Sequence, residues 1–152
     1  PCHSAAVMDV FAVKKNEKSK LTVMNETGTE QRAAFRYGSA FSRSIVLQKE
    51  RHKQLYLSGT ASIDQEGKTM FYGDITKQID RTFKVIKSLI QGEQIGLEDM
   101  YESTVFLKKS QYRQEYEDYI ERHRLTSLPV IVTIADVCRD DLLFEIDASF
   151  GA

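Results

Sequence analysis

The chain has 152 residues, 41% of them hydrophobic and 28% charged, the balance of one soluble globular domain rather than of a disordered or fibrous chain. Twenty-one Lys and Arg against 22 Asp and Glu leave a net charge of -1, so no overall field draws it to nucleic acid or to an anionic membrane surface. No apolar stretch approaches the roughly 18 residues a spanning helix needs, and no basic-then-apolar leader opens the sequence, which points to a cytoplasmic protein.

Cys2 and Cys138 stand at opposite ends of the chain without CxxC or Cys/His spacing, which argues for free thiols and against a zinc site or a disulfide framework. No linker or repeat divides the sequence, and Pro1 and Pro129 are its only prolines, so residues 1–152 read as one domain. A start at Pro1 fits removal of an initiator Met, or the C-terminal half of a longer two-domain protein.

In chain order, Val7 to Val13 and Leu21 to Met24 read as two short strands or a hairpin separated by the polar run Lys14 to Lys20. That run is the only basic cluster and suits a solvated tip. Ile45-Val46-Leu47 and Leu55-Tyr56-Leu57 flank the charged connection Lys49 to Lys53, a second strand pair that closes at Ser58-Gly59-Thr60. Asp64-Gln65-Glu66-Gly67 is a turn in which the glycine can take positive φ. Asp74 is placed to N-cap a helix, because Ile75, Ile79, Phe83, Ile86 and Ile90 follow at the spacing of one helical face, and Gly92 or Gly96 ends it. Residues 100–107 alternate like a strand. Ser110 is placed to cap a second helix with Tyr112, Tyr116, Tyr119, Ile120 and His123 on its inner face, stopped by Pro129. Pro129 to Val137 is apolar on both alternating faces, as in a strand covered on both sides. In the last strand, Leu142, Phe144, Ile146, Ala148 and Phe150 form an apolar face, with Leu143, Glu145, Asp147 and Ser149 opposite. This order predicts an α+β layer, a mixed β-sheet with two helices on one face. A second copy of the chain is the economical cover for the other face.

Tyr37-Gly38-Ser39, Leu55-Tyr56-Leu57-Ser58-Gly59-Thr60, Gly73-Asp74-Ile75-Thr76-Lys77-Gln78 and Leu143-Phe144-Glu145-Ile146 together resemble the Rid (YjgF-like) superfamily, from about Ala33 to Ala148. The resemblance implies a single-domain chorismate-mutase-like fold, a homotrimer, and small-molecule clefts between subunits. Rid imine and enamine deaminases carry an Arg two residues after a Pro on the penultimate strand, a bidentate clamp for the substrate carboxylate. Here that position is Ile131, which argues against their activity. Ser58-Gly59-Thr60-Ala61-Ser62-Ile63 and the stretch Ala135 to Ile146 are similar to the C-terminal half of chorismatases, enzymes that hydrolyse or rearrange chorismate with loss of pyruvate. Chorismatases have two such domains in one chain, and this sequence has room for one.

On that resemblance Glu145 is a general acid that protonates an enolpyruvyl double bond from a desolvated cleft. Pattern alone equally allows Glu145 and Asp147 to line a solvated strand face. Cys138, beside Arg139, matches a chorismatase position that steers the product and has a guanidinium at hand to ionise it, or else is a small thiol at a strand end. Tyr37 matches the family's substrate-contacting Tyr, or is a core residue. Ser58, Gly59, Thr60 and Ala61 line the cleft, or form a simple turn. A carboxylate substrate needs a cation, and the candidates are Arg43, Arg122, Arg124 and Arg139; Arg122 and Arg124 would equally complement their helix dipole. His123 reads as a packing residue. The expected function is a small-molecule lyase or hydrolase that acts on a carboxylated enol ether without metal or organic cofactor. The alternatives are a deaminase with a substitute Arg, a metabolite-binding trimer, and the endoribonuclease or translation-inhibitor role attached to the superfamily. Near-neutral charge and the lack of a paired His constellation disfavour the last.

Overall fold

The computed structural model describes residues 11–14, 18, 20–26 and 28–152. Strand β1 is Leu21–Glu26, β2 Ser44–Lys49 and β3 His52–Ala61. Helix α1 is Ile75–Gln91, β4 Met100–Leu107, α2 Arg113–Arg122, β5 Val130–Ile134 and β6 Phe144–Gly151. The strands form one six-stranded sheet in the order β1-β2-β3-β6-β4-β5. Strands β4 and β5 run parallel and the other pairs antiparallel, so the sheet is mixed, as expected.

Helix α1 forms where its apolar stripe predicts. The Asp74 carboxylate accepts a hydrogen bond from the Lys77 backbone N–H at 3.0 Å, satisfying an otherwise free amide of the first turn. Gly92 ends the helix. Ile75, Ile79, Phe83, Ile86 and Ile90 are all buried, and β6 meets them with Phe144, Ile146, Ala148 and Phe150. Helix α2 adds Tyr116, Tyr119 and Ile120. Phe83 sits among them, its ring centroid 5.5 Å from that of Tyr119 and 6.4 Å from that of Phe144. Both helices contribute to this one core, which places them on the same face of the sheet. Across the other face run Tyr56, Ser149 and Glu102 on neighbouring strands, then Asp147 and Thr104, with no helix over them among the described residues.

Several elements differ from their sequence pattern. Residues 7–10 of the first expected strand lie outside the described residues, and 11–14 adopt no regular structure. The run Pro129 to Val137 gives only the short strand β5, at the sheet edge. Val130 and Val132 pack on the core while Ile131 and Ile134 are 69% and 49% exposed. Within one chain this run is therefore not covered on both sides, because the helices cover one face only. Strand β6 begins at Phe144 rather than Leu142. Consecutive Leu142 and Leu143 are both buried, as a turn permits and one strand face does not: Leu142 joins Ala61 and Ile63 in a small cluster, and Leu143 joins the main core. Ser110 does not cap α2; Ser110–Tyr112 is a 3-10 turn ahead of the helix, and no side chain caps either element. His123 lies exposed past the end of α2, stacked on Tyr119 at 3.9 Å between ring centroids. A register shift between Met100 and Glu102 breaks the alternation of β4 and leaves Tyr101 exposed. Among the described residues no helix is long and apolar enough to cross a membrane.

Phe83 is 1% exposed and touches both helices and the sheet. We expect Phe83→Ala to lower unfolding free energy by about 3–5 kcal/mol in denaturant titration, the range for emptying an aromatic site. A loss no larger than that of a surface substitution would mean the helices are anchored elsewhere.

Candidate active site

The site is built around a β-bulge. Leu57 pairs with Ala148 and Thr60 with Ile146, so β3 carries one residue more than β6 across this interval, and the irregularity falls at Ser58-Gly59. A bulge bends its strand and re-aims the neighbouring side chains. Ser58 Oγ donates to the Ser42 carbonyl at 2.7 Å and Ser58 N–H to the Arg43 carbonyl at 3.1 Å, which ties the start of β2 to the bulge. Thr60 is fully buried, its hydroxyl donating to the Ser58 carbonyl at 2.9 Å. Glu145, paired with Ala61, lays its carboxyl against Gly59 so closely that even a Cβ there would overlap it.

Beside the bulge opens a cavity of about 340 Å³. Ser58, Gly59 and Ala61 of β3 form one wall, and Tyr37, Ser39, Phe41 and Arg43 form another. Cys138, Arg139 and Leu142 close it from the loop before β6, and Glu145 supplies the acid. Arg43 is 2% exposed. Its guanidinium donates to the Tyr37 phenolic oxygen and lies 5.0 Å and 5.4 Å from the ring centroids of Phe41 and Tyr37. A phenol that accepts this bond keeps its own hydrogen to donate. Burial, and then the charge of Arg139, lower the Arg43 pKa to about 10, so the group is still a cation at neutral pH. No carboxylate pairs with Arg43 among the described residues.

The turn 64–67 fixes the other side. Asp64 Oδ1 accepts from the N–H groups of Glu66 and Lys68 at 2.9 and 2.8 Å, and Gly67 takes φ of 78°. The Gly67 carbonyl accepts from the Arg139 guanidinium, and its Cα abuts the Tyr37 ring, where a Cβ would stand 2.6 Å from Cγ. A turn recognised from composition thus positions both Tyr37 and Arg139.

Burial first, and Asp147 second, raise the Glu145 pKa above its ordinary value, the condition a carboxyl needs to act as an acid toward neutral pH. The sequence leaves open whether Arg139 ionises Cys138 or Cys138 is a small neutral thiol. Desolvation and the neighbouring Glu145 charge outweigh Arg139 and raise the thiol pKa, although the residue as a whole is exposed, so the guanidinium does not ionise it.

The cavity brings together Tyr37, Arg43, Ser58, Gly59, Ala61, Cys138, Arg139 and Glu145. Thr60 is buried and does not line it, while Arg122 and Arg124 are exposed at the C-terminal end of α2, outside it. Sequence reasoning missed Ser39, Phe41, Ile63 and Leu142. Ser39 and Phe41 lie in the irregular segment between Tyr37 and Arg43, and Leu142 in a turn, so no periodic pattern marks them. Among the described residues no three His, Cys, Asp or Glu side chains are grouped to hold a metal ion.

The family model described as endoribonuclease L-PSP matches residues 32–149. The chain belongs to that family, the Rid (YjgF-like) superfamily. Among solved structures this Rid chain is similar to a chorismatase, with a TM-score of 0.72 and 17% identity over 85% of this chain and 44% of that one. It is similar also to yeast Mmf1, with a TM-score of 0.69 and 15% identity over 85% and 98% of the two chains. A member of the YjgF/YER057c/UK114 family from Mycobacterium tuberculosis gives a TM-score of 0.64 and 16% identity over 88% and 100%. This chain therefore spans under half of the chorismatase chain and nearly the whole of the other two. Identities this low establish the Rid fold and do not single out the chorismatase branch. Among curated proteins no sequence matches.

A carboxyl whose pKa is raised on folding binds its proton more tightly in the native state. Its contribution to stability is complete below the unfolded pKa, about 4.3 for Glu, and is lost as pH rises through the higher native pKa. We therefore expect Glu145→Gln to melt higher than the parent at pH 7, with the difference shrinking as pH falls through the raised native pKa and no longer changing once pH is below the ordinary carboxylate range. Melting curves across pH check this; an advantage that grows in acid would mean that Glu145 is held ionised.

Proposed function

We propose that this Rid-family chain is a cofactor-independent lyase or hydrolase of a carboxylated enol ether, with Glu145 as general acid. The observation that carries this reading is a carboxyl of raised pKa sharing one cavity with two guanidinium groups, one of them buried without a carboxylate partner among the described residues. Arg43 and Arg139 would hold the substrate carboxylate, the Tyr37 hydroxyl would donate to it, and Ala61, Ile63 and Leu142 would pack on the remainder. Glu145 would then protonate the terminal carbon of the enol double bond. The π pair forms the new C–H bond, the ether carbon becomes an oxocarbenium, and the Glu145 carboxylate left behind stabilises that cation. Water adds to the cation and returns a proton to Glu145, and collapse of the hemiketal expels the alcohol and leaves a 2-oxo acid. The neutral Cys138 thiol at the cavity wall would contact the reacting group rather than attack it. The likeness of Ala135 to Ile146 to chorismatases supports the assignment and makes chorismate the first compound to offer.

Because Arg43 and Arg139 could also clamp an imino acid, a deaminase is the second reading. Hydrolysis of 2-aminoacrylate-derived imines without pyruvate release from enol ethers would select it.

We also propose a homotrimer of single-domain chains. An edge strand with Ile131 and Ile134 exposed, beside a sheet face that no helix covers among the described residues, invites a partner. Sedimentation should give the mass of three chains; a stable monomer at micromolar concentration would remove this part of the reading.

With chorismate or another enolpyruvyl ether we expect pyruvate release, and we expect Glu145→Gln to lower turnover by about 10²–10⁴-fold with much smaller change in affinity. If the parent binds such ethers without releasing pyruvate and Glu145→Gln binds them equally, Glu145 is not an acid catalyst and the cavity is a binding site.

A further inference from the structure

One polar side chain interrupts the buried face of α1. Gln78 lies between Ile75 and Ile79 on one side and Thr82 on the other, and is 0% exposed. An amide there is strongly unfavourable unless its hydrogen bonds are made, and all its bonds go to backbone of the two loops that lead to the cavity. Its Nε2 donates to the Phe71 carbonyl at 3.2 Å and to the Asp141 carbonyl at 3.0 Å, and its Oε1 accepts from the Leu143 N–H at 2.8 Å. Phe71 is held at φ of 57°, a left-handed conformation that a bulky side chain disfavours, and its carbonyl also accepts from Asp74 N–H at 3.1 Å. The loop after Cys138 is tethered at further points: Lys108 Nζ donates to the Asp140 carbonyl at 2.9 Å, and Thr69 Oγ1 to Asp141 Oδ1 at 2.8 Å. Arg139 lies two residues before Asp141, and Glu145 two residues after Leu143. The two bonds from Gln78 to Asp141 and Leu143 therefore fall between the cation and the acid of the cavity.

We propose that Gln78 is a positioning residue that sets the spacing of Arg139 and Cys138 relative to Glu145. As a role in turnover this rests on the reaction proposed above, but the geometry itself can be read without turnover. Cys138 reports it, because the charged groups facing its thiol are Glu145, Arg139, Asp141 and Arg43, and Glu145 raises its pKa. In a Cys2→Ser background, the pH midpoint of Cys138 alkylation by iodoacetamide should move down when Glu145→Gln removes that charge. In Gln78→Met, which keeps volume and loses all three bonds, the same replacement should move it less than half as far. Equal shifts in the two backgrounds, with Gln78→Met folded by its melting curve, would reduce Gln78 to a packing residue. If Gln78→Met does not fold, Thr69→Val cuts a tether of the same loop and is judged by the same two outcomes. On an enolpyruvyl ether, Gln78→Met should lose about 10²-fold in kcat with KM little changed, the pattern of a misplaced reacting group; a loss confined to KM would overturn the role. Absence of pyruvate release from the parent counts against the proposed reaction alone, and equal alkylation shifts count against Gln78 alone.

Discussion

The carboxyl of Glu145 occupies the space that Gly59 leaves empty, and the rest of the cavity is arranged about that contact. A regularly paired strand with any side chain at residue 59 would push the carboxyl away. Glycine inside a strand weakens it, because its backbone is freer in the unfolded chain and it packs nothing. Here the loss is offset by bonds on the other side of β3: the Ser58 N–H continues the β2–β3 pairing to the Arg43 carbonyl, and the Ser58 hydroxyl holds the Ser42 carbonyl. The bulge thus seats the acid on one side of β3, while Ser58 on the other side holds the segment bearing Arg43.

Charge in the cavity follows from keeping unlike groups apart. A carboxylate in close contact with a guanidinium has its pKa depressed; that of Glu145 is raised, because burial and Asp147 dominate and no ion pair reaches it among the described residues. Arg43 meets instead two aromatic faces and a phenol, partners that tolerate a buried cation without neutralising it. An entering anion would supply the missing counter-charge at Arg43. It would also add negative charge to the cavity, which favours the protonated form of Glu145 still further, so binding and readiness of the acid act in the same direction.

Much of the fold was legible because period and punctuation agree with the final packing. The stripe of α1, its Asp74 cap, the Gly67 turn and the alternation around Glu145 each depend on local geometry that the chain imposes on itself. The departures lie where tertiary context decides. Leu142 and Leu143 look like the two faces of a strand, but the tethers at Asp141 and Leu143 turn the backbone there and bury both. For the site, a pattern can show that Glu145 lies on an otherwise apolar strand; Arg43 ranks above Arg122 only through the family resemblance of the Tyr37 turn. Arg43 reaches the cavity because the β2–β3 pairing continues one step past Ser44, with the Ser58 N–H on the Arg43 carbonyl, and because Tyr37 and Phe41 hold its guanidinium, contacts that side-chain periodicity does not show. Gln78 stayed hidden for a related reason, since a polar residue beside an apolar stripe reads as its boundary until the loops it holds are seen.

The position where Rid deaminases carry their clamp clarifies the layout. In this chain it is Ile131, on the edge strand, paired with Thr104 and facing away from the helices. It contributes no charge, and the cations that face Glu145 come instead from the Arg43 segment and the Arg139 loop of the same chain. The acid, both guanidiniums and the phenol are therefore already assembled within one chain. In the trimer proposed above, the neighbour's part would be to cover the apolar edge strand. On the proposed reading, anion recognition would depend on the tether of Ser58 to residues 42–43 and on the loop held by Gln78, rather than on a residue of the edge strand.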